Sequence, residues 1–147
     1  MKRIWALLAF ASVVLSTAAC EREKDRLDAE ARRLCAHDGG VKVYEKVILP
    51  AKNFDKFGAA SIPSKEKAKP EDDYYYERHV QYLQRGNPEL LRSQHLLIRR
   101  KDGKVLGESV RYTRRGGDMP GPWHESSFSC PEIGAQHPLE RLVFQKE

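Results

Sequence analysis

Cys35, His37 and Asp38 fall within four residues of one another in the stretch LCAHDGGVKVYE, residues 34–45. A thiolate to attack, an imidazole to carry the proton and a carboxylate to orient it are the parts of a nucleophilic site, and all three types also bind metals. The spacing points elsewhere. In EREKDRLDAEARRLCAHD, residues 21–38, Leu27, Ala31, Leu34 and Cys35 recur at i, i+4, i+7 and i+8, the apolar stripe of a helix. At roughly 100° per residue, Cys35 and His37 project about 200° apart on that helix. Catalytic pairs are made by convergence in space, and closeness in the chain adds little. The stretch reads as a helix end, with Cys35 on the buried stripe, His37 near the C-terminus and Gly39-Gly40 as the stop. Asp28 and Arg32 are expected to pair on the solvent side.

The other chemistry-bearing residues are dispersed. His37, His79, His95, His124 and His137 show no HxH, HxxxH or CxxC spacing, whereas structural zinc sites announce themselves by close ligand pairs. His79 and His95, on strands expected to be neighbours, are the one histidine pair placed to converge. Ser126, Ser127 and Ser129 lack a GxSxG elbow. Gly39-Gly40 and Gly116-Gly117 lack the GxGxxG pattern of a phosphate loop. Asp72-Asp73 lies in a polar loop. No catalytic residue, metal or other cofactor is assigned, and the chain is expected not to be an enzyme.

Basic residues are less evenly spread. Arg92, Arg99, Arg100, Lys101, Lys104, Arg111, Arg114 and Arg115 crowd one expected hairpin. They form either a solvated face that deters edge-to-edge pairing or an anion or partner surface. In the second reading the candidates are Arg99, Arg100, Lys101, Arg111, Arg114 and Arg115. Trp123, in the Gly/Pro loop GGDMPGPW, either holds that loop down or anchors a partner.

These residues belong to a chain of 147, enough for one domain. Residues 1–20, MKRIWALLAFASVVLSTAAC, have a basic start (Lys2, Arg3), an apolar run over 4–15 and small residues before Cys20. The apolar run is short of the ~20 residues a spanning helix needs, so the segment reads as a cleaved signal peptide, residues 1–19. Two processing routes stand. A signal peptidase cuts near Ala19, or STAAC is a lipobox and Cys20 becomes a lipidated first residue. Thr17 stands three before the cysteine, where a lipobox ordinarily has an aliphatic residue. Cysteine arithmetic favours lipidation. Of Cys20, Cys35 and Cys130, one is left over in a secreted protein unless Cys20 carries lipid and the other two pair. Losing Lys2 and Arg3 lowers the formal charge of +5 by two, to a mildly basic value. Export and this modest charge argue against nucleic acid and for lipid or lipopolysaccharide phosphates as anionic partners.

The remaining chain, 20–147, is expected to form one α+β domain. VKVYEKVIL (41–49) alternates as a strand ended by Pro50, with Val41, Val43, Val47 and Leu49 on one side. Residues 51–73 form a long polar connection, with Phe54 and Phe57 the candidates to touch the core. YYYERHVQYLQ, LLRSQHLLIRR and VLGESVRYTRR are three further strands, the last two joined at Asp102-Gly103 in a type I′ hairpin. HESSFSC (124–130) is a plausible last strand, and HPLERLVFQKE is ambiguous between helix and strand. The expected architecture is an N-terminal helix packed on an antiparallel sheet of about four to five strands, in two layers.

LCAHDGGVKVYEKVILP, GKVLGESVRYTRRGGD and GPWHESSFSC together resemble a family of small, uncharacterised lipoproteins of Gram-negative bacteria and their prophages, with the motif LCxxDGGxxVYExVxLP. The resemblance implies a single-domain, lipid-anchored envelope protein that faces the periplasm, with no catalytic residues to transfer. Glu21 after Cys20 is similar to the pattern of outer-membrane sorting. The expected function is a non-enzymatic interaction or binding module. The alternatives are a periplasmic enzyme or metal protein, and a prophage-encoded exclusion or lysis factor.

Overall fold

The computed structural model describes residues 22–118, 124–133 and 138–147. The expected signal peptide (residues 1–19), Cys20, Trp123 and His137 lie outside the described residues. A helix, α1, runs over residues 22–38. It is followed by β1 (Gly40–Val43), β2 (Val47–Leu49), a 3-10 turn (Ala51–Asn53), β3 (Tyr74–Gln84), β4 (Glu89–Arg99), β5 (Lys104–Arg115), β6 (Ser127–Cys130), α2 (Leu139–Val143) and β7 (Phe144–Lys146). The α+β class and the mostly antiparallel sheet are as the sequence predicts. Among the described residues no helix is long and apolar enough to cross a membrane.

β3, β4 and β5 form an antiparallel meander of long strands. β5 is long enough to take two partners on its other edge: β1 along residues 107–110 and β6 along 112–115. The five-stranded sheet is thus continuous from β3 to a composite edge. The β4–β5 hairpin has a wider tip than a type I′ turn. Only Gly103 has positive φ (68°), and its N–H donates to the Arg99 carbonyl across a four-residue loop. Asp102 avoids the left-handed region and instead accepts from Arg99 and from the Lys104 N–H.

Side-chain alternation gives the sheet two faces. On one, Leu27, Ala31 and Cys35 of α1 pack with Leu90, Val110 and Tyr112. That is the stripe read from the sequence, with Leu34 at its margin. At the other end of the sheet, on the opposite face, Leu97 and Leu106 pack with Leu139, Val143, Phe144 and Ala60. Each fully buried aliphatic side chain contributes roughly 1.5–3 kcal/mol by leaving water. The two covers sit diagonally, so among the described residues the expected helix on one face of the sheet is joined by a second, smaller cover on the other face. Among the described residues, no packed element covers the half of the second face around Ser93, His95, Ser109 and Arg111.

Residues 41–49 alternate as predicted but are not one strand. The chain leaves β5 at Tyr44, whose N–H and that of Glu45 both donate to the Leu106 carbonyl. It then enters a second, parallel ladder in which β2 pairs with β7. The ambiguous tail is therefore both helix and strand, and β6 is not the last strand. Phe54 reaches the second core cluster, while Phe57 is 69% exposed. The connection around them is organised by Asp55, which accepts from the N–H groups of Phe57 and Ala59.

Candidate functional site

The opening Cys-His-Asp stretch is a structural junction. Cys35 is disulfide-bonded to Cys130, with the two Cα atoms 5.9 Å apart. His37 is exposed on the helix surface. Gly40 ends the helix with φ 107°. Gly39 serves a different need, because a Cβ there would lie 2.6 Å from the Cys35 carbonyl oxygen and 2.7 Å from its Sγ. Asp38, unfavourable by charge at a helix C-terminus, is placed by its partners. It accepts from the Tyr112 hydroxyl at 2.6 Å and from Arg92 at 2.9 Å. Burial pushes the Asp38 carboxyl up, but these hydrogen bonds and the Arg92 charge outweigh it and leave its pKa lowered.

The stability this gives is full above the unfolded Asp value of about 3.9. It is lost as pH falls through the lower folded value. Asp38→Ala is expected to cost roughly 1.5–3 kcal/mol at pH 7, the range for a hydrogen bond to a charged group. The penalty shrinks below about pH 4, where the unfolded carboxyl is already protonated. Urea unfolding at both pH values checks this, and an undiminished penalty at low pH would contradict it.

The open half of the face opposite α1 is a groove of about 680 Å³. Its floor is set by register. Arg78 of β3 lies opposite His95 of β4, and His95 opposite Ser109 of β5. Ser93 lies opposite Arg111, and Thr113 opposite Ser129, whose hydroxyls are 3.2 Å apart. Leu139 and Glu140 of α2 close one end. Glu140 there accepts from the Tyr76 hydroxyl at 2.7 Å, while Leu91 and Ile133 add apolar surface. Desolvation on the groove floor holds the His95 imidazole below its ordinary range, and the charges of Arg78 and Arg111 add to it.

The basic residues grouped by sequence are divided by the fold. Arg111 alone of the six candidates stands on the central floor. Arg115 is at its end, 3.4 Å from Glu89. Arg114, on the opposite face, is buried and donates to Asp28 at 2.8 Å, to the Gly116 carbonyl and to Ser126. Asp28 is thus taken by Arg114 rather than by Arg32, whose guanidinium lies over the Phe128 ring. Arg99 is held by Asp102 and Glu45, Arg100 reaches the Asp72 carbonyl and stacks on Tyr75, and Lys101 is exposed at the hairpin tip. His79 pairs in register with Gln94, and Arg78 with His95, so the two histidines point to opposite faces.

Residue spacing alone does not bring Arg78, His95, Ser93 and Ser109 to a common site. The signal was present. Alternation on strands paired through one hairpin puts Arg78, His95, Ser109 and Arg111 on the same face, although adjacency in the chain does not. Among the described residues no group of three potential metal ligands converges. None of the hydrogen bonds among the described residues joins His95 to Ser93 or Ser109. The floor offers cationic and hydroxyl donors, which suits binding of an anion. Comparison with family models, with curated proteins and with solved structures finds no match for this chain.

Proposed function

We propose that the chain is an exported, non-enzymatic binding module of the Gram-negative envelope, lipid-anchored through Cys20, facing the periplasm from the outer membrane. One observation carries the reading: Cys35 and Cys130 are bonded to each other. Such a bond suits an oxidising compartment. It occupies the thiol of the Cys-His-Asp stretch, and it leaves Cys20, at the end of the apolar leader, as the odd cysteine. The resemblance to small envelope lipoproteins supports the same conclusion. The partners are the membrane, through the lipid, and an anionic lipid, lipopolysaccharide or protein of the envelope, through the open sheet face.

The full chain isolated without reductant is expected to yield no alkylatable thiol under denaturation, and two, at Cys35 and Cys130, after reduction. A free Cys35 in the unreduced protein would restore the nucleophile and remove this reading.

A further inference from the structure

We infer that the floor of the groove opposite α1 is an oxyanion site, in which the guanidinium groups of Arg78 and Arg111 and the hydroxyls of Ser93 and Ser109 receive a phosphate group. The inference deepens the binding-module reading and rests on it. Four observations support the site. The Arg111 Nε is buried and has no hydrogen-bond partner, a costly state for a donor that bonds strongly to oxyanions. Neither Arg78 nor Arg111 forms a salt bridge among the described residues, whereas Arg92, Arg99, Arg114 and Arg115 each do. Of the residues outside the described ones, 119–123 and 134–137 contain no Asp or Glu, and Glu21, the residue before α1, is the one carboxylate of residues 1–21. The two arginines approach from β3 and β5 on either side of β4, whose Ser93 and His95 lie between them.

The acidic residues of the groove are at its margins. Glu140 is engaged by Tyr76. Glu125 accepts from Asn87 at 3.4 Å. A phosphate therefore meets net positive charge and fork-shaped donors at the centre. Ile133, 71% exposed beside the floor, gives the uncharged part of a phosphate ester an apolar surface.

His95 is the built-in reporter. The charged groups facing it are Arg78 and Arg111 on the floor, with Glu140 of α2, Glu125 and the Glu89-paired Arg115 at the margins. A bound phosphate offsets the two arginines and raises the His95 pKa. The full chain is titrated with inorganic phosphate at constant ionic strength, and the imidazole resonances of its histidines are followed by NMR. The expected result is a saturable shift and a raised pKa at His95, with His79 on the opposite face unmoved. Arg111→Gln and Arg78→Gln each weaken binding about tenfold or more, as loss of a charge-assisted hydrogen bond requires. Lys101→Gln, an equal charge change at the hairpin tip, leaves binding unchanged. Arg78 is exposed, so its variant keeps the test available should Arg111→Gln disturb the fold.

Equal shifts at all histidines, no shift at His95, or equal weakening by Lys101→Gln would overturn the site. Vesicles of phosphatidylcholine with and without phosphatidate then separate the sources. Uptake that needs phosphatidate and is lost in Arg111→Gln assigns a lipid phosphate. Uptake indifferent to both, with the phosphate titration intact, assigns a soluble phosphate ester. Failure of the envelope reading appears elsewhere, in the thiol count and in labelling at Cys20, so the two cannot be confused.

Discussion

Removing the Cys35–Cys130 bond, in a Cys35→Ala, Cys130→Ala double variant, is expected to take away about a third or more of the stability of the domain. The bond joins residues 95 apart in the chain. On the chain-entropy model a crosslink of that span is worth ~4–5 kcal/mol, because it denies the unfolded chain the conformations that separate its ends. Single domains are stable by only about 5–15 kcal/mol. The effect has a location as well as a size. Cys35 is in the last turns of α1 and Cys130 ends β6, and both sit at the cluster of Leu27, Ala31, Leu90, Val110 and Tyr112. Without the bond, α1 keeps its apolar stripe and its ion pairs to the sheet, but loses the constraint that holds it there in the unfolded ensemble. Urea unfolding of the oxidised protein and the double variant measures the difference. A change below about 1 kcal/mol would show that the unfolded state already keeps these ends together.

Arg114→Met is expected to cost ~3–5 kcal/mol, the range for removing one partner of a buried ion pair. Arg114 is 2% exposed and ties three elements together. Its Nε and Nη2 donate to the two Asp28 carboxylate oxygens of α1 at 2.8 and 3.2 Å. Its Nη1 serves the carbonyls of Gly116 and Ser126, at 2.8 and 3.0 Å, and the Ser126 hydroxyl. Methionine matches the volume but leaves Asp28 half-buried without its counter-charge and the acceptors of the loop unmet. Asp28→Leu added to Arg114→Met is expected to recover much of the loss, since replacing both charges by apolar groups is often close to neutral. Arg114→Lys is not a rescue, because an ammonium lacks the planar fork that serves α1 and the loop together. Urea midpoints of the two single variants and the double variant check this. A single Arg114→Met penalty below 1 kcal/mol, or a double variant as damaged as the sum, would contradict it.

The parts of the fold legible in the sequence are those set by local periodicity. The stripe Leu27, Ala31, Leu34, Cys35 has the helical period, and β3, β4 and β5 have the strand period with turn residues between them. The cysteine pairing followed from counting. What periodicity cannot report is the partner. Val41, Val43, Val47 and Leu49 alternate without interruption, yet the first two pair with β5 and the last two with β7. The alternation records which way a side chain faces and is blind to a change of ladder at residues 44–46. α2 has five residues, too few for a helical period to declare itself. Its partner surfaces, β1 and β5, lie far away in the chain.

The candidate site was half legible for a related reason. Adjacency groups the basic residues, but consecutive residues of a strand point to opposite faces. Arg114 and Arg111 differ in parity, so one is buried against α1 and the other stands in the groove. Parity also brings in Arg78 and His95. Applying it needed a register, which the Asp102-Gly103 hairpin supplies only to within the width of its tip. The four-residue loop and the bulge at Leu97 are tertiary details that residue types alone do not decide.

The proposed lipid anchor at Cys20 is tested most directly by metabolic labelling with a palmitate analogue. The full chain, expressed in a Gram-negative host, should incorporate the label and fractionate with membranes. A Cys20→Ala variant should incorporate none and leave the membrane fraction. If Cys20→Ala is processed, labelled and membrane-bound like the parent, the anchor is wrong.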